Sequence, residues 1–244
     1  NSNSATIPFR AHIFARALSG LWACCDRFCT GIAEQDRGSR VGRLYDSPRA
    51  LCDHCGSKVL ELLICRECGD VSLGGYLLPQ DDGTEMLSAT PFAFPSDTPH
   101  RVNQRNRSQY RWFWSSDGDN APLRRRETWT HSGNTMGFVQ AKLDVTGHFS
   151  YGAATKEPNG WCLQIQVAKD ETELSALPAL PSHCPQCDQT RTVTGAQTRQ
   201  SFAAGEVDTN ISAHTTSAQQ STQVFIAQIP RTLEEPGARQ QTIV

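Results

Sequence analysis

Three observations in this 244-residue sequence predict an α+β fold, mostly β and irregular, in which a cysteine-knuckle module carries an antiparallel sheet and long loops. Residues 52–69, CDHCGSKVLELLICRECG, hold two C-x-x-C-G knuckles around an apolar run. Residues 136–167 contain two segments in which apolar and polar side chains alternate. The run STQVFIAQIPRTLEEPG reads as a short helix broken near Pro230, and the last residues, RQQTIV, as the beginning of a buried strand.

The knuckles carry the chemistry. In C-x-x-C-G two thiolates converge on one ion while the loop turns tightly, and glycine, here Gly56 and Gly69, tolerates the positive φ that the turn demands. Between the knuckles, Val59, Leu60, Leu62, Leu63 and Ile64 include no Gly, Pro, Asn or Asp, so nothing signals a reversal. The stretch from Cys55 to Cys65 covers roughly 15 Å as helix or roughly 33 Å as strand, whereas thiolates on one zinc lie a few ångströms apart. Two metal sites follow, each completed from elsewhere. Cys24 and Cys29 form C-x4-C upstream, and Cys184 and Cys187 form C-x-x-C downstream. A straight connector assigns Cys24, Cys29, Cys52 and Cys55 to one zinc and Cys65, Cys68, Cys184 and Cys187 to the other. The competing arrangement puts the four central cysteines on a single ion. Close-spaced cysteine pairs in a chain of this size favour metal over a disulfide framework. Cys25 and Cys162 are left over.

In chain order, residues 1–78 form a lead-in segment and the knuckle module. Phe9, Ala11 and Ile13 alternate with Arg10 and His12 as an extended stretch, Trp22 packs beside the first cysteine pair, and VGRLYDSPRAL supplies a short strand and turn. DVSLGGYLLP then gives a strand with a glycine bend. Residues 79–135 are rich in Pro, Ser, Asp, Asn and Arg without a sustained period and read as loops. They carry Arg101, Arg105, Arg107, Arg111, Arg124, Arg125 and Arg126 among Tyr110, Trp112, Phe113, Trp114 and Trp129. Arginine for phosphates with aromatics for base stacking is a nucleic-acid-binding composition; the same residues equally suit a solvated loop whose aromatics pack on the core. Residues 136–190 are an antiparallel β region with the returning knuckle. Val139, Ala141 and Leu143 alternate with Gln140 and Lys142, and Trp161, Leu163 and Ile165 alternate with Cys162, Gln164 and Gln166, which places Cys162 on a polar, wet face. Residues 191–223, dominated by Thr, Gln, Ser and Ala, read as a polar linker, and residues 224–244 as a helix and the first strand of a following domain, as in a fragment of a larger protein.

Only four of the 23 basic residues are lysine, and the net charge of −2 points neither to a nucleic-acid coat nor to an acidic tail. No apolar run approaches the length of a membrane-spanning helix.

The run IPFRAHIFARALSGLWAC, the pattern C-x4-C, RLY, C-x-x-CG-x-x-VLELL-x-C-x-x-CGDV, and the later LPALP-x-x-CP-x-C resemble the cysteine-rich insert of large bacterial superfamily-2 DEAD/DEAH-type helicases, including those of the anti-phage systems DISARM and Druantia. The resemblance covers residues 7 to 190 in order. It implies two structural zinc sites on the eight paired cysteines, an insert lying between two RecA-like motor domains, a following strand at QQTIV, DNA and the rest of the helicase polypeptide as partners, and a cytoplasmic protein. The sequence holds no G-x-x-x-x-G-K-[ST] phosphate loop and no Asp-Glu-x-His box, so ATP and Mg would belong to the parent protein alone. The expected function is a structural zinc-binding, nucleic-acid-contacting insert of an ATP-dependent DNA helicase with no catalytic residues of its own. The alternative is a zinc-stabilised interaction module that recruits defence or repair proteins. A zinc hydrolase would need an open coordination position, which all-cysteine sites lack.

Overall fold

The computed structural model describes residues 20–81, 83–92, 102–117, 120–131, 133–153, 155–167, 173–191 and 207–213. Arg10, His12, Arg101 and the expected helix and strand of residues 224–244 lie outside the described residues.

Eleven strands run through one antiparallel sheet: β1 Trp22–Cys24, β2 Leu44–Tyr45, β3 Val59–Cys65, β4 Val71–Leu78, β5 Glu85–Ser88, β6 Tyr110–Ser115, β7 Trp129–His131, β8 Asn134–Leu143, β9 His148–Tyr151, β10 Gly160–Gln166 and β11 Ile211–Ala213. Six of them close on themselves in the order β4, β5, β9, β8, β10, β6 and back to β4, where Leu73–Tyr76 pair with Tyr110–Phe113. Closure removes the free edges that an open sheet of this size would expose. Strand β3 lies outside the ring. It pairs with the first half of β4 along one edge, and with β1 and then β11 along the other.

The α+β expectation is therefore corrected. Among the described residues the only helical pieces are 3-10 turns of three residues, and the chain is nearly all β with a closed six-stranded antiparallel barrel. The long loops are corrected with it, since residues 79–135 supply β5, β6, β7 and the start of β8, and β6 is buried along its whole length. The assumption of one wet face misled the reading. Pairing sets Leu73, Phe113, Cys162 and Val139 side by side across four strands, and with Leu87, Leu143 and Phe149 they fill the barrel. A six-stranded ring is narrow enough for side chains alone to pack it. Phe113 and Phe149 meet edge to face across it, with ring centroids 6.2 Å apart. On the outer face, Trp112, Trp114, Met136, Phe138 and Leu163 form a second core with Ala179, Leu180, Val207 and Ile211. With both faces buried, Cys162 is a barrel residue, 2% exposed, and not a solvent-facing one.

One polar network is enclosed beneath this second core. Glu61 on β3 pairs with Arg105 and accepts a hydrogen bond from the Tyr110 hydroxyl at 2.7 Å. The Arg105 guanidinium packs against both Tyr76 and Tyr110, 4.8 and 4.7 Å from their centroids, while the two rings meet edge to face with centroids 5.0 Å apart. Breaking such a buried pair costs about 3–5 kcal/mol, because the surviving charge is left without a partner. Gly74 makes room for it, since a Cβ there would stand 1.9 Å from the Tyr110 hydroxyl oxygen. Gly74→Ala is therefore expected to lower the stability of the metal-loaded protein by about 2–5 kcal/mol, through overpacking and the lost hydrogen bond. Urea unfolding checks this; an unchanged midpoint would show that Tyr110 does not need the space.

Candidate metal centres

The eight paired cysteines fall into two groups, Cys24/Cys29/Cys52/Cys55 and Cys65/Cys68/Cys184/Cys187, and within each the four sulfurs lie within 4.8 Å of one another. This is the grouping that a straight connector requires, because residues 59–65 form one extended strand, β3. The first group precedes β3 and the second begins at its last residue.

Three knuckles repeat one backbone pattern. The carbonyls of Cys52, Cys65 and Cys184 accept from the N–H groups of Gly56, Gly69 and Asp188, at 3.0, 2.9 and 2.9 Å. The N–H groups of the same cysteines donate to Ser57, Asp70 and Gln189. The residue that closes each turn is left-handed, with φ of 73° at Gly56, 76° at Gly69 and 60° at Asp188. Asp188 holds this conformation without glycine's freedom, and its carboxylate is ion-paired with Arg124. The fourth pair is built differently. Cys24 ends β1, the chain turns at 26–29 with the Cys29 N–H donating to the Asp26 carbonyl, and the Gly31 N–H points at the Cys29 sulfur at 3.3 Å. Gly42 packs against this turn so closely that a Cβ would stand 2.3 Å from the Asp26 carbonyl oxygen and 2.8 Å from the Cys29 Cβ.

The donor sets fit a tetrahedral metal. Four sulfurs each about 2.3 Å from zinc are separated by roughly 3.8 Å. Here Cys24–Cys55 and Cys29–Cys52 are 3.5 Å apart, Cys65–Cys187 3.9 Å and Cys68–Cys184 3.8 Å. All ten cysteines are unbridged. The electrostatics ask for a cation. Burial pushes the thiols of Cys24 and Cys184 far above their ordinary range. Burial also works against the thiolate of Cys52, yet the Tyr45 hydroxyl, 3.1 Å from the sulfur, and the N–H groups of Cys55 and His54 draw it down to about 6. At Cys65 the N–H groups of Cys68 and Glu67 likewise outweigh burial and lower it. Each group thus sets one cysteine whose thiolate is favoured, Cys52 or Cys65, beside another, Cys24 or Cys184, whose thiolate burial disfavours and a bound cation would favour.

The spare thiols stand apart from both groups. Cys25 points at the Asp144 carbonyl, 3.6 Å away, and Cys162 lies in the barrel; burial pushes each up to about 12, so neither is poised as a nucleophile.

The arginines divide sharply. Arg105, Arg107 and Arg111 are buried: the first pairs with Glu61, the second donates to the Leu163 carbonyl at 2.8 Å, and the third forks onto the Glu85 carboxylate. Burial leaves these three no surface to offer a phosphate, and the aromatics among them are core residues. Arg124 is held by Asp188 and Glu127, whereas Arg125 and Arg126 are exposed.

Sequence reasoning missed Tyr45, Gly42 and Arg40. Tyr45 stands in the RLY of the family pattern but gave no hint that its hydroxyl reaches a sulfur. Arg40, in the loop between Cys29 and Cys52, reaches the second centre: its Nε is 2.5 Å from the Asp70 carboxylate just past Cys68, and its other nitrogens donate to the Ser115 carbonyl at 2.7 Å and to Gln186, between Cys184 and Cys187, at 2.9 Å. Its guanidinium covers Trp114 at 3.9 Å.

The profile of a family described as the YjiV N-terminal domain matches residues 44–202, a span that includes six of the eight paired cysteines and begins after Cys24 and Cys29. The Druantia protein DruE of Escherichia coli (strain UMEA 4076-1) is 40% identical over 79 residues, which make up 31% of this chain and 4% of that protein. The chain therefore corresponds to a small part of this relative's length. No solved structure matches it. No helix among the described residues is long and apolar enough to cross a membrane.

The second group joins the turn after β3 to residues 184–187, at the end of the segment that covers the outer core. Changing Cys184 and Cys187 together to serine is expected to leave one metal bound per chain and to open residues 173–191 to proteolysis while the barrel stays protected. Metal analysis and limited proteolysis check it; loss of both metals, or retention of both, would contradict two separate sites.

Proposed function

Since the chain belongs to the YjiV N-terminal domain family, we propose that it is a structural zinc-binding module of a defence-system protein related to the Druantia protein, and that its parent is an ATP-dependent DNA helicase carrying the motor residues elsewhere. The observation that carries this reading is the pair of four-cysteine groups fixed at the two ends of one buried strand. Cys24, Cys29, Cys52 and Cys55 would hold one zinc, and Cys65, Cys68, Cys184 and Cys187 the other. Bound zinc supplies a four-coordinate cross-link; sites closed by four thiolates leave no position for water or substrate, which suits a scaffold rather than a hydrolytic centre.

The protein's own residues do the rest. The left-handed turns at Gly56, Gly69 and Asp188 aim N–H groups inward and pre-form the thiolate pairs. Arg40 joins the loop that follows Cys29 to the second centre through Asp70 and Gln186. DNA contact then falls to arginines left on the surface, because Arg105, Arg107 and Arg111 are consumed inside the fold. ATP and Mg belong to the parent's motor domains.

Metal removal tests the structural role. The purified chain is expected to carry two zinc ions, and chelation is expected to cost several kcal/mol of stability, with loss of the cooperative melt and its recovery on adding zinc. Because protons compete for the thiolates, zinc should also leave as the pH falls below neutral. A chain that melts identically with and without metal would overturn the structural reading.

A further inference from the structure

A groove of about 140 Å³ opens where the barrel sheet runs past its closed part. Its floor is made by β8 and β10. Pairing sets Gly137 opposite Gln164 and Thr135 opposite Gln166, so these four residues share one face, the same face that inside the barrel carries Val139 and Cys162. Its wall is residues 125–128. Three features give it a chemical character. The side chains of Arg125 and Arg126 are exposed and make no ion pair with any described residue, while the neighbouring Arg124 is fully engaged by Asp188 and Glu127, which also neutralises the one carboxylate in the wall. Gln164 and Gln166 present two exposed carboxamides, each both donor and acceptor. Gly137 leaves the floor open: a Cβ there would approach only the Thr128 methyl at 3.4 Å and the Glu127 carbonyl at 3.7 Å, so the absent side chain is space and not backbone necessity.

Two free guanidinium groups beside paired carboxamides over an open floor match one kind of ligand. Arginine takes the phosphate oxygens in a fork, and glutamine reads a base edge through its donor and acceptor together. We propose that this groove binds a nucleotide unit of single-stranded nucleic acid, with Arg125 and Arg126 on the phosphates and Gln164 and Gln166 on the base. The strand is single because an unpaired base must reach the floor of the groove. This rests on the reading of the module as a nucleic-acid-contacting part of its parent, and it moves the contact from the seven arginines suggested by sequence to two of them.

The test uses the full chain, zinc-loaded, with fluorescein-labelled oligo-dT and oligo-U in anisotropy titrations across salt. Binding to one or both is expected, the stronger arm telling DNA from RNA. Arg125→Ala and Arg126→Ala should each lower the log–log salt slope by about 0.7, one phosphate contact apiece. Gly137→Val, which fills the floor without touching an arginine, should weaken binding by about tenfold or more while leaving the zinc content and the melting temperature unchanged. Arg37→Ala, an exposed arginine outside both four-cysteine groups and not among the residues lining the groove, should do nothing. The proposal is overturned if neither oligonucleotide binds at low salt, if Gly137→Val binds as the parent chain does, or if a peptide or heparin competes equally well against the Gly137→Val variant and the parent. In each of these cases two zinc ions per chain would leave the structural reading standing, whereas loss of zinc in the unsubstituted chain would remove that reading instead.

Discussion

Strand β3 runs from one four-cysteine group to the other, and the register of its three neighbouring strands is set along it. Its first residues follow a knuckle whose Cys52 and Cys55 meet Cys24 and Cys29; its last residue, Cys65, belongs to the second group. Between those ends it serves as the seam of the molecule. It pairs with β1, β4 and β11, and carries Leu60 and Leu62 toward the barrel core and Glu61 and Leu63 toward the outer one. A strand with so many neighbours tolerates no slip in register, since a shift by one residue would exchange Glu61 with Leu62 and bury the charge among aliphatic side chains. Tetrahedral cross-links at its two ends would fix that register. The Glu61–Arg105–Tyr110 network fixes it a third time from the middle.

The centres differ in exposure, and the difference follows from what each one joins. In the first group Cys24, Cys29 and Cys52 are buried, packed with Tyr45 and Val59 and flanked by Trp22. It closes a loop that is short along the chain. The second group joins residues more than a hundred positions apart and leaves Cys68 exposed. A metal closing so long a loop would remove more entropy from the unfolded chain than one closing the first, and exposed Cys68 would give a chelator the easier route to it. Arg40 binds both chain segments of this centre, through Asp70 after Cys68 and Gln186 between Cys184 and Cys187.

Much of this was legible in the sequence, and the failures have identifiable causes. The knuckles were readable because C-x-x-C-G is a local backbone requirement, and the division into two groups because VLELLI contains no Gly, Pro, Asn or Asp at which the chain could turn. Strands β4, β8 and β10 announced themselves by β-type residues bounded by turns. Strand β6, YRWFWS, did not: a strand buried on both faces has no alternation, and the arginines around it looked like surface. Arg105 and Arg111 are inside because Glu61 and Glu85, distant in sequence, come to meet them. Cys162 looked solvent-facing since its neighbours Gln164 and Gln166 are, but the ring closes around the first and not the other two. Strand β11 hid in a polar stretch because its three residues take their stability from the edge of β3 and not from their own composition.

The central claim is that two closed four-sulfur centres brace one strand. X-ray absorption at the zinc edge of the purified, untreated protein tests it most directly. The account predicts a single shell of four sulfurs at about 2.3 Å, with no nitrogen or oxygen ligand, for all of the bound zinc. A shell in which nitrogen or oxygen replaces sulfur, or an absence of zinc altogether, would contradict it.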